Sequence, residues 1–308
     1  MDINRNLHRI LVPVPLNREF SIPLEQAIHF QKVYHSEIIL LNVVPEQNIF
    51  HRILKPEKLR KHKRKAKSKL KKLTRKCFNG TIPSNLTIKV VSGELIGSIL
   101  TTAVNLDCNL IIIKKATRVK GRLSYLRAEN ADKLIAEAVC PVLTIMNRPT
   151  DEKIQDILIP IDVLKKSSEK VAWSVSLARR FNARLHMASV LNMNINLKDS
   201  LAYKKSRKIE YSIRKEGIDV TSVILRNSGK SPYQAILDHA DEIKPDMLLI
   251  MTHQESIFPD NNLGSFAREI IHNSHYPVFS VVPSREPIRE GFMKSIPHRE
   301  SQSVDQGK

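Results

Sequence analysis

The chain contains an internal repeat of domain size, and this feature constrains its fold more than any other. Residues 9–44 align without a gap to residues 156–191, at an offset of 147 residues. Near the end of each copy, residues 140–145 match residues 276–281 after small shifts. Solenoid units recur every 20 to 50 residues or so, which is much shorter than this offset. The repeat therefore indicates a duplicated domain.

Each copy alternates short apolar runs with segments of helical periodicity. Both copies open with an apolar run, at 10–14 and at 157–161, that is too short for an amphipathic helix and predicts a buried strand. Apolar residues then recur at helical spacing, as Leu24, Ile28 and Val33 do. Continuously apolar strands are typical of parallel sheets with helices on both faces. The sequence predicts two tandem doubly wound α/β domains, each with a five-stranded parallel sheet flanked by helices.

A polar linker and a tail without periodicity predict the domain boundaries. Residues 147–153 form a polar, Pro-containing linker, which places the first domain at 1–149 and the second at 150–284. Residues 285–308 show no sustained periodicity and predict a flexible tail.

Composition excludes several classes of protein. With 42% apolar and 26% charged residues, the chain is globular rather than disordered or collagenous. The three cysteines, Cys77, Cys108 and Cys140, show no CxxC spacing, which argues against a disulfide framework or a thiolate zinc cluster. The sequence has no apolar run near the roughly 18 to 20 residues that cross a bilayer, and no signal-peptide pattern at its start. We expect a cytoplasmic protein with reduced thiols and no transmembrane segment.

The net charge is concentrated in one segment. Lys and Arg number 50 against 31 Asp and Glu, a formal net charge of +19. Residues 55–76 hold thirteen Lys or Arg and one Glu, a net charge of +12, whereas the matching segment 198–216 nets +4. In the first segment, apolar residues recur at helical spacing and predict a helix with one docked face; they are Leu59, Ala66, Leu70 and Leu73.

Two interpretations of this basic helix stay open. Charge runs are commonly solvated helix faces. Twelve unbalanced charges on one helix repel each other, however, and an anionic surface such as nucleic acid or an acidic membrane relieves that repulsion. The run contains no Phe, Tyr or Trp, which disfavours base stacking on this helix. The predicted polyanion contacts are Lys61, Lys63, Arg64, Lys65 and Lys67.

Segments from the second copy resemble the universal stress protein family. Residues 157–162 (ILIPID), 246–253 (DMLLIMTH) and 264–282 (GSFAREIIHNSHYPVFSVV) look like that family's first strand, fourth strand and last helix with its strand. The likeness covers nearly the whole chain as two tandem copies. It implies the adenine-nucleotide alpha hydrolase-like fold, a role in stress adaptation and association through the last strand.

The duplication bears on that association. If 142–146 and 278–282 are the last strands of their domains, they can pair across a pseudo-two-fold axis and protect each other's edges. One chain would then imitate the family's dimer. A homodimer of whole chains, and an unidentified protein partner, remain alternatives.

The resemblance also implies where a nucleotide would bind. Nucleotide-binding members carry a glycine after the fourth strand, a second three residues on and a third ten residues later, followed by Ser or Thr, with an Asp closing the first strand. Glycines let backbone approach phosphate, and a helix start offers free N–H groups. In the second copy Met251 and Gln254 replace two glycines, while Gly264, Ser265 and Asp162 remain. These three residues are the predicted ATP or AMP contacts of a partly retained site.

The first copy departs further from that pattern. Lys114, Thr117 and, with one inserted residue, Ala128 stand at the glycine positions, Glu129 replaces the hydroxyl and Pro15 replaces the Asp. A carboxylate at Glu129 would repel phosphate. We therefore predict that the first domain has lost nucleotide binding.

Both retained features have structural explanations as well. Gly264 and Ser265 are ordinary residues at a helix start, and Asp162 is an ordinary turn residue. His272 and His275 lie three residues apart, but neither Cys nor carboxylate joins them at ligand spacing, so we predict no metal site. The sequence has no GxSxG or GxxxxGK[ST] motif, and we predict no catalytic residues.

These observations favour a non-enzymatic tandem member that acts through protein or polyanion contacts and needs no cofactor. The alternatives are an ATP or AMP sensor that uses the second domain, and a slow nucleotide hydrolase.

Overall fold

The structure, a computed structural model, describes most of both repeats. The described residues are 6–45, 56–115, 128–146, 153–163, 165–191, 201–226, 229–253 and 263–283. The predicted tail at 285–308, and all of the predicted linker except Lys153, lie outside the described residues. The boundaries at 1–149 and 150–284 stay predictions.

The first domain alternates strands and helices in the predicted order. Its strands are β1 (Arg9–Pro13), β2 (Glu37–Pro45), β3 (Leu86–Gly93), β4 (Leu110–Lys114) and β5 (Val142–Ile145). Its α-helices are α1 (Ser21–Tyr34), α2 (Pro56–Cys77), α3 (Leu95–Asn105) and α4 (Ala128–Glu137). A 3-10 turn, Arg18–Phe20, precedes α1.

The second domain repeats this order. Its strands are β6 (Asp156–Pro160), β7 (Arg184–Leu191), β8 (Val220–Arg226), β9 (Met247–Met251) and β10 (Val278–Val281). Its α-helices are α5 (Ser168–Phe181), α6 (Leu201–Lys215), α7 (Pro232–Ile243) and α8 (Ser265–Asn273). The repeat extends to backbone detail, since α1 and α5 both end at a left-handed residue, His35 and Asn182, each with φ 54°.

The two domains share one ten-stranded sheet. Its order is β3-β2-β1-β4-β5-β10-β9-β6-β7-β8, so each half has the order 3-2-1-4-5. Within each half the described pairings are parallel, as predicted from the continuously apolar strands. At the centre, β5 and β10 run antiparallel, with Leu143 opposite Phe279. The predicted pairing of the two last strands is confirmed.

Helices cover both faces of the sheet and bury two apolar cores. The α1 face is packed by α1, α2, α5 and α6, with Phe30, Leu70 and Ile213 fully buried. The α3 face is packed by α3, α4, α7 and α8, with Ile99 and Ile270 fully buried. Successive strand residues point to opposite faces, which explains why uninterrupted apolar strands supply both cores.

The junction between the domains differs between the two faces. On the α1 face it is aromatic: the ring of Phe30 lies edge-on to Phe181 at 5.1 Å and stacks on Phe279 at 6.4 Å between centroids. On the α3 face it is polar, because His272 of α8 lies 2.7 Å from Asp132 of α4. Both contacts join helices or strands of different repeats, so the two domains are held together by more than the β5–β10 pairing.

Candidate functional site

Each half of the sheet has one crevice where a ligand would be expected. The carboxyl ends of parallel strands meet at one edge, and strand order reverses between β1 and β4 and between β6 and β9. In doubly wound sheets, ligands bind outside that edge at the point of reversal. The predicted nucleotide residues flank these two crevices.

An ion pair spans the crevice of the first domain. Lys114 ends β4, and its Nζ lies 2.9 Å from Oε1 of Glu19 in the 3-10 turn that follows β1. The Lys114 side chain is 12% exposed, so the protein surrounds most of it. The sequence identified Lys114 as a lost glycine but gave no indication of its partner. The pair links the 3-10 turn that follows β1 to the end of β4, at the point where strand order reverses.

The start of α4 adds a second obstacle in this domain. Glu129 lies in the first turn of α4 and is exposed. A carboxylate suits the positive end of the helix dipole, but it places negative charge where phosphate would otherwise be attracted. Thr117, at the second glycine position, lies outside the described residues.

In the second domain, Asp162 lies just beyond β6, at the predicted edge. Its Oδ2 is 3.7 Å from Nζ of Lys165, and its backbone carbonyl accepts a 3.1 Å hydrogen bond from the Lys165 N–H. The side chains are 45% and 53% exposed. Asp162 therefore forms a solvent-exposed turn with its own counter-ion beside the crevice.

Gly264 has a structural role in the fold. It precedes α8, and its N–H donates a 3.0 Å hydrogen bond to the carbonyl of Thr252, just after β9. A Cβ at Gly264 would lie 3.3 Å from that same oxygen, which is tighter than ordinary contact. The close approach of two backbone segments accounts for this glycine without a ligand.

Ser265 begins α8 and is exposed. In the described structure no side chain caps the first turn of α8, so its orphan N–H groups have no such partner. Since β6 and β9 are neighbours, Asp162 and the start of α8 belong to the same edge of the sheet. Met251, at the first glycine position, is buried at the end of β9, and Gln254 lies outside the described residues.

The basic helix α2 docks as its apolar spacing predicts. Ala66 and Leu70 are buried, Leu59 and Leu73 are half-buried, and α2 packs on β2 and β3 at one end of the sheet. Of the predicted polyanion contacts, Lys63 is half-buried and four are exposed: Lys61, Arg64, Lys65 and Lys67.

The charge of α2 is not balanced by neighbouring groups. The helix carries twelve Lys or Arg and a single acid, Glu57. The ion pairs formed by the described residues all lie outside α2. Eleven of the twelve cations of this helix are exposed, and none of the twelve forms an ion pair with a carboxylate of the described residues.

The remaining reactive groups of the described residues form no metal site. Among the described residues, His, Cys, Asp and Glu gather into no group of three that could hold a metal ion. Cys108 and Cys140 are buried free thiols, and burial raises the pKa of Cys108 to about 11 and that of Cys140 to about 12. Across the same residues, every helix falls short of the length or the hydropathy needed to cross a membrane.

Sequence comparison identifies the family. The profile of the universal stress protein family matches residues 6–145 and again residues 153–281. The chain therefore belongs to the universal stress protein family, with two copies of the domain in tandem, and this membership supports a stress-related role. No curated protein matches the sequence significantly.

Solved structures show the same fold. A universal stress protein from Archaeoglobus fulgidus DSM 4304 is 20% identical, with a TM-score of 0.67 over 90% of this chain and 98% of its own. A functionally unknown protein from Pseudomonas aeruginosa PAO1 is 16% identical, with a TM-score of 0.62 over 92% of this chain and 95% of its own. The A. fulgidus universal stress protein solved in complex with dAMP is 23% identical over 41% of this chain and 97% of its own, with a TM-score of 0.34. At these identities the first two likenesses establish the fold alone.

Proposed function

We propose that this tandem universal stress protein acts in stress adaptation without catalysing a reaction, by holding an anionic polymer against α2. The observation that carries the proposal is the exposed, unbalanced charge of that helix. Twelve cations and one carboxylate on a single helix repel each other, and phosphate groups along a polymer would relieve that repulsion. The expected cytoplasmic location belongs to this proposal as well.

Nucleic acid suits α2 better than a membrane does. Helices that lie in a bilayer surface bury an apolar face among the lipids. The apolar residues of α2 already pack on the sheet, with Ala66 and Leu70 buried, and its outer surface is made of Lys and Arg. A helix of this kind supplies charge without apolar insertion, which favours contact with a phosphate backbone, independent of base sequence.

A salt titration tests this proposal. Binding of duplex DNA, RNA and anionic vesicles is measured by filter binding or sedimentation at low and moderate salt. The variant changes Lys61, Lys63, Arg64, Lys65 and Lys67 to Gln. Each phosphate that the variant no longer neutralises lowers the slope of log affinity against log salt by about 0.9 for duplex DNA. We expect the variant to lose most of the salt dependence and keep its circular dichroism.

The control changes five exposed lysines elsewhere to Gln, namely Lys32, Lys133, Lys153, Lys166 and Lys230. Both variants have the same net charge, so a loss confined to the α2 variant assigns binding to that helix. Equally poor binding of all three proteins to every polyanion would contradict the proposal and leave α2 a solvated face.

A second candidate, an ATP or AMP sensor, rests on the second domain. The uncapped first turn of α8 and the exposed Asp162 and Ser265 favour it. The buried Met251 side chain, where a glycine would let phosphate approach, counts against it. Nucleotide hydrolysis ranks last, because His, Cys, Asp and Glu among the described residues form no group of three or more that could hold the metal ion of such a reaction.

A further inference from the structure

Helix α6 exposes an unusual amount of apolar surface. Five large apolar side chains are exposed among the described residues, and three of them lie on this one helix: Leu201 at 62%, Tyr203 at 36% and Tyr211 at 61%. The other two, Val104 and Val139, lie on other parts of the chain. Scattered apolar residues need no explanation, but a group on one helix marks an interaction surface.

Five of the exposed residues of α6, including Leu201 and Tyr211, form a ridge along its outer side. Its members recur at alternating spacings of three and four residues, which places them on one line of the helix. This α6 ridge consists of Leu201, Lys204, Lys208, Tyr211 and Lys215. The opposite side, which includes Ala202 and Ile213, is buried against the sheet. The α6 ridge therefore faces away from the sheet.

The ridge combines an aromatic ring with cations on either side. The Nζ of Lys215 lies 4.9 Å from the centroid of the Tyr211 ring, close enough for a cation–π interaction. Arg207 and Arg214 are engaged elsewhere, at 2.7 Å and 3.1 Å from the buried carboxylate of Glu210.

The ridge lysines have no such partner. Lys204 and Lys208 make no ion pair with any of the described residues, and both are exposed. The ridge is consequently positive, with a ring at its centre.

From this arrangement we infer that the α6 ridge binds single-stranded nucleic acid, with phosphates on Lys204, Lys208 and Lys215 and one base stacked on Tyr211. Basic surfaces interleaved with exposed rings bind single strands in this way, because unpaired bases offer a free π-face. The inference rests on the proposed function in taking nucleic acid as the partner, but it uses a different helix. It assigns base stacking to α6 and backbone contact to α2, which lacks exposed rings of Phe, Tyr or Trp.

Other occupants fit the ridge less well. A second copy of the chain would bring the same lysines and meet charge repulsion. Duplex nucleic acid keeps its bases stacked inside, so the Tyr211 ring would gain little from it. An anionic membrane would engage the lysines, but the ridge has one aliphatic side chain, Leu201, to insert into lipid.

The test compares three probes by fluorescence anisotropy at one moderate salt concentration. They are a short labelled oligonucleotide of mixed sequence, an abasic strand of the same length, and the matching duplex. We expect Tyr211→Gln to weaken binding of the ordinary strand about tenfold, the size of one base–aromatic stack. Binding of the abasic strand and of the duplex should not change. Tyr211→Phe keeps the ring and should keep the affinity.

Each outcome supports or overturns the inference. If Tyr211→Gln binds the ordinary strand as well as the unchanged protein does, the inference is wrong. If the variant, in the vesicle sedimentation described for α2, loses affinity for anionic lipid while its binding of the strand is unchanged, the ridge is a membrane contact and the inference is again wrong. The α2 variant should weaken ordinary and abasic strands alike, so failure of the α2 proposal is visible separately from failure at Tyr211.

Discussion

Lys115 of the first domain donates a hydrogen bond of 2.7 Å from its Nζ to the backbone carbonyl of Ile271 in the second. The same ammonium donates to the carbonyl of His272, so it covers the carboxyl end of α8. The last carbonyls of a helix have no partner within it and carry partial negative charge, which a cation stabilises. Only 7% of Lys115 is exposed, so these bonds form largely out of water.

This contact predicts a large effect of Lys115→Met on stability. Methionine keeps much of the side-chain volume but leaves the two carbonyls without their donor. We expect the free energy of unfolding to fall by about 1.5 to 3 kcal/mol, the range for a hydrogen bond to a charged group. Urea denaturation followed by circular dichroism measures it.

The control is Lys133→Met on the neighbouring helix α4, where the side chain is exposed. A surface change of this kind should stay within about 0.5 kcal/mol. Equal effects of the two substitutions would show that Lys115 does not hold α8.

The aromatic side of the junction predicts coupling between domains. Phe30 and Phe181 come from different repeats, and their rings meet edge-on at 5.1 Å. In a double-mutant cycle of Phe30→Leu and Phe181→Leu, we expect an interaction energy of about 0.5 to 1.5 kcal/mol, typical of an aromatic pair. Thermal or urea unfolding of the four proteins measures it.

Phe20 provides the comparison for this cycle. It is nearly as buried as Phe30, but the rings that meet Phe181 among the described residues are those of His29, Phe30 and Tyr34. The cycle of Phe20→Leu with Phe181→Leu should be additive within about 0.5 kcal/mol. Coupling of the same size in both cycles would contradict a specific role for the ring pair.

The unequal burial of the three cysteines predicts that a thiol reagent will react with only one of them in the folded protein. Burial raises the pKa of Cys108 to about 11 and that of Cys140 to about 12, whereas Cys77 is exposed at the end of α2. At pH 8 a disulfide reagent such as DTNB should label Cys77 within minutes and reach the other two only after unfolding. Cys77→Ser should abolish the fast reaction, and two fast thiols in that variant would contradict the burial.

The raised pKa values of Cys108 and Cys140 determine how the stability of the fold changes with pH. The ordinary thiol pKa is 9.0, so above about pH 9 the unfolded chain releases protons that the folded chain still holds. The stability that these thiols contribute is complete below pH 9 and is lost as the pH rises toward 12. Cys140→Ala should make this alkaline decline shallower in urea titrations, relative to the unchanged protein.

Patterns repeated along the chain predicted the architecture. Apolar periodicity predicted the strands and helices. The family resemblance implies association through the last strand, and the duplication turned this into the prediction that β5 pairs with β10 within one chain. Spacing also predicted which residues of α2 would dock, and Ala66 and Leu70 are buried accordingly.

The sequence could not predict contacts between side chains that lie far apart along the chain. Glu19 and Lys114 are 95 positions apart, and Lys115 and Ile271 are 156 apart. Such pairs depend on the register between strands and on side-chain direction, which periodicity does not encode. The exposure of the Tyr211 ring was not predicted for a related reason. The net charge of its segment carries no information about the direction in which a ring points. Its exposure follows only from which side of α6 faces the sheet.

The two crevices predict unequal nucleotide binding. In titration calorimetry with ATP and Mg²⁺, the two-domain chain should bind no more than one equivalent, because we expect the Lys114–Glu19 pair and Glu129 to obstruct the first domain. Any heat of binding should disappear in the Asp162→Asn, Ser265→Ala double variant, which removes a carboxylate and a hydroxyl that are both exposed. Gly264 is left unchanged, since a Cβ there would crowd the Thr252 carbonyl and disturb the fold. Glu129→Ala, at the position equivalent to Ser265, removes one of these two obstacles, and the remaining Lys114–Glu19 pair should still prevent a second equivalent from binding. Two equivalents of ATP would show that the first domain retains a nucleotide site, and binding that survives the double variant would show that Asp162 and Ser265 do not carry it.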